Sequence, residues 1–227
     1  MRADLSVPLS FQAAMIASPF PGCVGFAVVT KDCASGFSLD PTEARILSPR
    51  AALKRREEFV LGRTAAHAAL KQIGFSTPPP ILQGPQREPL WPAGHVGSIT
   101  HTDGIAACAV CSQDHAAGIG IDLEIIPDRF DQDLCLVVGA RDERAWVGGD
   151  TLRMARLFSA KEAVFKAMSP LAGVFLDFMD AGLIWHEQSF RGRLMRPIGP
   201  YPQGFEFPVG SIVLDTLIFS YMSLPPR

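Results

Sequence analysis

Apolar residues recur at helical spacing in two long segments of this chain. Between residues 51 and 73 they fall on one face and Gly74 follows as a stop, so the pattern predicts a helix over 51–73. A second helical pattern covers residues 151–168, with an expected break near Ser159. A shorter helix is expected over residues 42–46, ahead of a proline.

Short apolar runs bounded by glycine, proline or polar turn residues predict the strands. Four such runs cover residues 24–30, 96–100, 105–111 and 118–126. The segment 182–224 alternates turn residues with apolar runs and predicts further antiparallel strands. We expect irregular structure over residues 1–22, 77–92 and 127–149, the last with some helical character. Strand, helix and strand occur in both halves, which predicts an α+β fold with subdomains 1–115 and 116–227 and a boundary near 113–117.

Composition and charge exclude several classes of protein. Hydrophobic residues make up 48% and charged residues 19% of the chain, as in a folded domain rather than a disordered one. The net charge of −2 gives no reason to expect nucleic acid as a partner. We recognise no signal peptide and no run of about 18 uncharged apolar residues, so we expect a cytoplasmic protein without a membrane span. Cys108 and Cys111 would point to opposite faces of one strand, which favours buried thiols over a shared metal site.

Two carboxylates stand out in the predicted strand 118–126. Because side chains alternate along a strand, Asp122 and Glu124 share one face with Gly118 and Gly120. Two neighbouring carboxylates repel each other unless a cation lies between them, and Mg²⁺ binds one or two carboxylates together with phosphate oxygens. We expect the glycines to leave room for a bulky ligand. The alternative is a solvated outer face on a strand that is buried on one side only.

The second polar motif lies in the predicted helix 151–168. Glu162 and Lys166 are four residues apart and share a helix face, so one can bind a metal while the other meets a phosphate. Two structural alternatives remain open. Ser159 and Glu162 match a capping box, and Glu162 with Lys166 matches an exposed ion pair of small energetic value.

Basic residues supply candidate phosphate contacts. His101 lies at the end of a predicted strand before a turn, where it could donate to a phosphate. Arg56 and Arg63 are two helical turns apart and share a face, with Arg55 close to it, and Arg87 lies in the proline-rich segment. Arginine forks suit phosphate oxygens, although solvation alone explains any one of these charges.

Taken together, these motifs resemble one family. The matching blocks are Lys-Arg-Arg-x-Glu-Phe at 54–59, Gly-Arg at 62–63, Arg-Glu-Pro-Leu-Trp-Pro at 87–92, Gly-Ser-Ile-Thr-His at 97–101, Gly-Ile-Asp-Leu-Glu at 120–124 and Phe-Ser-Ala-Lys-Glu-Ala-Val-Phe-Lys at 158–166. In this order they resemble the signature blocks of the 4'-phosphopantetheinyl transferases of the enterobactin-synthase type, the branch that serves siderophore, nonribosomal peptide and polyketide synthases. The family fold consists of two similar α/β subdomains with pseudo-twofold symmetry and the active site in the cleft between them.

The resemblance also implies roles for single residues. It implies Mg²⁺ as the metal, with Asp122, Glu124 and Glu162 as its ligands. It implies coenzyme A contacts from Arg55, Arg63, Arg87, Thr100, His101, Lys161 and Lys166. The catalytic group would consist of Asp122, Glu162 and Lys166, with the base either Glu162 or a water positioned by Glu124. Gln83 stands where some relatives carry a basic residue, so one phosphate contact could be missing.

The reaction implied is transfer of 4'-phosphopantetheine from coenzyme A to a serine of an apo acyl or peptidyl carrier protein, with release of 3',5'-ADP. Two other functions remain open at this point. A Mg²⁺-dependent pyrophosphate hydrolase would use the same groups with water as the attacking molecule, and a non-catalytic coenzyme A-binding module would use the basic residues alone. The expected partners are coenzyme A and the carrier protein, and the expected state is a monomer.

Overall fold

The computed structural model describes residues 8–32, 37–173 and 176–226, without the side chains of Leu9 and Phe11. Its α-helices are α1 (Leu9–Ala14), α2 (Pro41–Ala44), α3 (Leu53–Gln72), α4 (Gln132–Val138), α5 (Arg141–Val147) and α6 (Thr151–Ala172), with a 3₁₀ turn at Phe178–Asp180. Its strands are β1 (Gly25–Thr30), β2 (Leu82–Gln83), β3 (Pro89–Leu90), β4 (His95–Thr102), β5 (Ile105–Ser112), β6 (Gly118–Ile125), β7 (Ala181–His186), β8 (Ser189–Leu194), β9 (Glu206–Leu214) and β10 (Leu217–Leu224). The predicted α+β class is confirmed.

The first sheet has the strand order β1-β5-β4, and all its pairs are antiparallel. Helix α3 packs on one face, where it buries the side chain of Cys108. The opposite face of β5 carries Cys111 into a different apolar cluster. Both faces of this central strand are therefore buried, which explains its unbroken apolar sequence and confirms that the two thiols point apart.

The second sheet has the order β6-β10-β9-β8-β7, again antiparallel, with α6 packed on one face. On the other face of β6, Ile119, Ile121 and Leu123 are buried in one cluster with Ala107 and Ala109 of β5. This cluster joins the two halves of the molecule. All strands of the first sheet precede residue 113, and all strands of the second sheet follow residue 117. The exact division of the chain at 115/116 stays a prediction.

Helix α6 is one continuous helix, so the predicted break near Ser159 is wrong. Ser159 is fully buried in the helix interior, and Asp150 caps the helix instead, its carboxylate accepting a hydrogen bond from the backbone N–H of Arg153. The capping-box explanation for Ser159 and Glu162 is therefore excluded. The helix continues through Pro170 in its last turn and ends at Gly173 in the left-handed conformation.

The glycines of β6 serve packing rather than a ligand. A Cβ at Gly120 would lie 1.8 Å from the carbonyl oxygen of Ala163, and one at Gly118 would lie 2.4 Å from that of Ala167. Both contacts are impossible for a side chain. The expectation that these glycines make room for a bulky ligand is wrong, because the backbone of α6 fills that space.

Two segments expected to be irregular contain regular structure: the segment 1–22 includes α1, and the segment 77–92 includes the short pair β2 and β3. The helical character expected in the segment 127–149 is confirmed by α4 and α5. No helix in the described ranges combines the length and apolar character needed to span a bilayer.

Candidate active site

Asp122 is the best-defined polar residue of the site. Its side chain is 7% exposed, and its Oδ1 accepts hydrogen bonds from Lys166 Nζ at 2.6 Å and from Thr100 Oγ1 at 3.2 Å. Its Oδ2 is buried and has no hydrogen-bond partner among the described residues. A buried carboxylate oxygen without a partner is unfavourable, so this atom has unused capacity for a donor or a cation.

Glu124 and Glu162 lie close enough to Asp122 for their charges to interact. Burial and the negative charges of Asp122 and Glu162 raise the pKa of Glu124 to about 7, with Lys166 acting in the opposite direction. Burial also raises the pKa of Glu162; Lys166 opposes this rise and Asp122 adds to it. Strand β6 and helix α6 thus gather three carboxylates around one lysine ammonium.

His101 connects this group to the basic helix of the first half. Burial lowers its pKa, with opposing contributions from Glu58 and Asp122 and supporting ones from Lys166 and Arg55. Its Nδ1 lies 3.8 Å from Glu58 Oε2 on α3. The imidazole therefore lies between the start of α3 and the carboxylates of β6.

The predicted arginines differ in how they are held. Arg55 and Arg87 are exposed, and Arg87 lies in a left-handed turn between β2 and β3. Arg63 is only 7% exposed: its guanidinium lies over the Phe59 ring at 4.4 Å, and its Nε is 3.8 Å from Glu43 Oε1. The coenzyme A contacts of these three arginines stay predictions, and Arg63 would make its contact from a nearly buried position.

Lys161 pairs with Glu143 rather than with Asp122, Glu124 or Glu162. Its ammonium is buried, forms an ion pair with Glu143 Oε1 at 2.8 Å and donates hydrogen bonds to the carbonyl oxygens of Phe178 and Ala181. The three donors of the ammonium thus each have an acceptor inside the second half, which indicates a structural role. The implied coenzyme A contact of Lys161 stays a prediction.

Thr100 is likewise engaged by other groups of the protein. Its side chain is buried, and its hydroxyl both donates to Asp122 and accepts from the backbone N–H of Leu123 at 3.0 Å. The single O–H donor of Thr100 is therefore used by Asp122. The implied coenzyme A contact of Thr100 stays a prediction.

The donor set fits a hard cation such as Mg²⁺, although the carboxylates do not form a closed ligand group. Within residues 8–32, 37–173 and 176–226, no three His, Cys, Asp or Glu side chains lie together closely enough to hold a metal ion. The ammonium of Lys166 lies against Asp122 instead. Nevertheless, Oδ2 of Asp122 has no partner among the described residues, and burial together with the charge of Asp122 raises the pKa of Glu124. The site therefore carries more negative charge than Lys166 neutralises. Mg²⁺ commonly uses one or two carboxylates and completes its shell with phosphate oxygens and water.

Sequence reasoning missed a residue of the site and a cavity in the second half. Glu58, which lies 3.8 Å from His101, belongs to a recognised block but carried no assigned role. Around the buried Lys161, a small and mostly apolar cavity is lined by Lys161, Val164, Phe165, Leu176, Asp177, Phe178, Asp180, Ala181 and Ile198. The lining comes from α6 and from segments after it, so no single run of sequence could have indicated this cavity.

Two family models match the chain. The model of the 4'-phosphopantetheinyl transferase N-terminal domain matches residues 42–111, and the model of the 4'-phosphopantetheinyl transferase superfamily matches residues 118–202. The chain belongs to the 4'-phosphopantetheinyl transferase superfamily. The resemblance inferred from the motifs is confirmed, and the protein is an enzyme of the transferase class.

Named relatives support the same assignment for this transferase. It is 40% identical to 4'-phosphopantetheinyl transferase Svp of Streptomyces mobaraensis, over 73% of this chain and 69% of that protein. It is 36% identical to 4'-phosphopantetheinyl transferase PptT of Mycobacterium tuberculosis, over 66% of each chain. It is 39% identical to enterobactin synthase component D of Salmonella typhimurium, over 51% of this chain and 49% of that protein. The matched region thus spans between about half and about two thirds of the length of these relatives.

Proposed function

We propose that this enzyme transfers the 4'-phosphopantetheine group of coenzyme A to a serine of an apo acyl or peptidyl carrier protein, in a Mg²⁺-dependent reaction that releases 3',5'-ADP. The observation that carries the proposal is the group formed by Asp122, Glu124, Glu162 and Lys166, with His101 between it and the basic start of α3. Carboxylates beside basic residues suit a substrate that brings both a pyrophosphate and a cation.

Each half of the molecule would have its own task. The exposed Arg55 and the half-buried His101 would hold the 3'-phosphate of coenzyme A, and Lys166 would turn from Asp122 to the pyrophosphate. The side chain of Lys166 is 26% exposed, which leaves it a route toward a ligand. Asp122, Glu124 and Glu162 would hold Mg²⁺, which when bound polarises the phosphoryl group and stabilises the charge of the departing nucleotide.

Glu162 is our candidate for the base that takes the proton of the attacking serine. Its raised pKa brings its affinity for a proton closer to neutral pH, which suits a general base better than an ordinary carboxylate. A water positioned by Glu124 is the other arrangement compatible with these contacts.

The cellular setting belongs to the same proposal. The cysteines of the described ranges, Cys23, Cys108, Cys111 and Cys135, are all free thiols, which fits a reducing compartment such as the cytoplasm. The similarity to enterobactin synthase component D supports carriers of siderophore or related nonribosomal peptide and polyketide synthases as acceptors.

The proposal is tested by the intact mass of an apo carrier protein incubated with the enzyme, coenzyme A and Mg²⁺. We expect the mass to increase by one phosphopantetheine, an increase abolished by EDTA and absent from a carrier whose acceptor serine is replaced by alanine. Equal amounts of 3',5'-ADP should appear in solution. Release of free phosphopantetheine without any carrier would instead show a hydrolase, and coenzyme A binding without either product would show a binding module.

A further inference from the structure

The two sheets meet along two edge strands that are joined by side-chain hydroxyls. β4 is the edge of the first sheet and β6 the edge of the second, and the two strands lie side by side. Ser98 Oγ accepts a hydrogen bond from the backbone N–H of Ile121 at 3.1 Å, and Thr100 Oγ1 accepts one from the N–H of Leu123 at 3.0 Å. These hydroxyls satisfy two backbone N–H groups of β6 that a neighbouring strand would otherwise pair with.

Thr100 and Ser98 differ in one contact. The hydroxyl of Thr100 also donates to Asp122 Oδ1 at 3.2 Å, whereas among the described residues Asp122 accepts its hydrogen bonds from Thr100 and Lys166 and not from Ser98. Both residues are almost fully buried, with exposures of 3% for Ser98 and 2% for Thr100. The chain thus contains a matched pair of residues that share the junction between the halves but not the contact with the carboxylate.

The two donors to Asp122 have different freedom. Lys166 reaches the carboxylate through a long flexible side chain that is partly exposed, and the proposed reaction requires it to turn to the pyrophosphate. Thr100 is β-branched, buried and fixed by its bond to Leu123 N–H. When Lys166 turns away, Thr100 is the donor that remains on Oδ1.

We propose that Thr100 is a positioning residue: it fixes the carboxylate of Asp122 through Oδ1, so that the buried and unpartnered Oδ2 stays available to the metal ion. The inference rests on the proposed function. Since one hydroxyl bonds both the backbone of β6 and the carboxylate that β6 carries, the junction between the two halves also sets the orientation of a metal ligand.

Three variants separate positioning from simple stability. Thr100→Val keeps the shape of the side chain and removes the hydroxyl, Thr100→Ser keeps the hydroxyl, and Ser98→Ala removes the equivalent junction bond without touching Asp122. Each is measured by its thermal midpoint, by calorimetric titration of Mg²⁺ into enzyme with coenzyme A but no carrier, and by kcat and KM for coenzyme A.

We expect Thr100→Val to weaken Mg²⁺ binding and to lower kcat, each by about 10- to 100-fold, with little change in KM for coenzyme A. Thr100→Ser should restore both quantities to within about threefold of the original enzyme, and Ser98→Ala should lower the thermal midpoint while leaving both nearly unchanged. If Thr100→Val does not fold, Thr100→Cys, whose thiol is a weak donor, takes its place.

Equal losses of Mg²⁺ affinity and kcat in Thr100→Val and Ser98→Ala would overturn the inference and leave Thr100 with a junction role only. Failure of the proposed function gives a different result, because the unaltered enzyme would then modify no carrier. The Mg²⁺ titration needs no carrier and still tests Thr100 in that case.

Discussion

The two halves of the molecule anchor their long helices in the same way. In the first half, Glu43 of α2 accepts the backbone N–H of Ile81, which follows α3, and the ring N–H of His67 within α3, at 2.8 and 2.9 Å. In the second half, Glu143 of α5 accepts the N–H of Leu183, which follows α6, at 2.7 Å, and pairs with Lys161 of α6 at 2.8 Å. Each half thus uses one buried glutamate from the helix that precedes its long helix.

The two glutamates differ in how completely they are satisfied. Oε2 of Glu143 accepts the backbone N–H of Ala140 at 2.6 Å, whereas Oε2 of Glu43 is buried without a partner among the described residues. Arg63, whose guanidinium lies near Glu43, also has a buried Nε with no hydrogen-bond partner in the part of the chain that the structure describes. The pair in the second half is complete, while the first half leaves polar capacity beside an arginine expected to meet a phosphate.

The largest expected effect tests the chemical role proposed for Glu162 in the second half. Glu162→Gln should lower kcat by about 10²–10⁴-fold, because it removes both a metal ligand and the proposed base. The thermal midpoint should not fall, since Gln keeps the shape and loses a carboxylate whose pKa burial raises. Steady-state transfer to an apo carrier measures the effect, with Glu57→Gln, at an exposed ion pair with Lys31, as the matched control. A Glu162→Gln enzyme within about tenfold of the original would contradict the assignment.

The next prediction tests whether the buried ion pair of Lys161 and Glu143 stabilises the second half. Lys161→Met should lower the free energy of unfolding by about 3–5 kcal/mol, because Glu143 would remain as a buried charge without its partner. Urea unfolding measures this change. The double variant Lys161→Met with Glu143→Gln should regain part of the loss. A change below about 1 kcal/mol would show that Lys161 is not a structural anchor.

Replacing Glu43 in the first half should lower the free energy of unfolding by less, and this loss should depend on pH. Glu43→Gln should cost about 1–3 kcal/mol at neutral pH, since Gln keeps one acceptor for Ile81 or His67 but loses the charge beside Arg63. Burial acts to raise the pKa of Glu43, but the hydrogen bonds from His67 and Ile81 and the charge of Arg63 hold it below its ordinary value of 4.5. Its stabilising contribution is therefore present above pH 4.5 and is lost as the pH falls through the lower folded-state pKa.

Urea unfolding of both proteins across the acid range checks the prediction for Glu43. The free energies of unfolding of Glu43→Gln and the original protein should converge toward low pH. Parallel curves down to the acid limit would mean that the charge of Glu43 contributes nothing.

The smallest effect concerns Glu124 in EDTA. The folded-state pKa of Glu124 is about 7, above its ordinary value of 4.5. Below pH 4.5 the carboxyl is neutral and costs the fold no stability. As the pH rises through 7, the carboxyl ionises in the folded protein and destabilises it. Glu124→Gln should therefore raise the thermal midpoint at pH 8, by roughly 2–4 °C, and leave it unchanged at pH 4.5. Differential scanning calorimetry measures both. Equal shifts of the thermal midpoint at the two pH values would show that ionisation of Glu124 does not destabilise the fold.

Periodicity predicted much of the fold and part of the site. The alternation along β6 correctly placed Asp122 and Glu124 opposite Ile121, and the helical spacing correctly placed Glu162 with Lys166, because these patterns depend on local geometry alone. The roles of the β6 glycines depend on which backbone packs against them, and that is a tertiary fact.

The side-chain contacts of Thr100 and Lys161 were missed for a related reason. Both lie within family blocks beside residues of the site, but burial turns one toward Asp122 and the other toward Glu143. A sequence block records which residues occur together and does not record which way each side chain points.

The strand that carries Asp122 also determines the order in which this molecule can fold. β6 pairs with β10, and 91 residues, 126 to 216, separate the two strands along the chain. Such a distant contact forms late, because closing a long loop lowers the entropy of the chain before the pairing stabilises it. During synthesis, β6 therefore leaves the ribosome long before β10, and Leu217 and Phe219 of β10 are still missing from the cluster that covers Ile121. We therefore expect Asp122 and Glu124, the proposed metal ligands of β6, to reach their final positions later than the basic helix α3 of the first half.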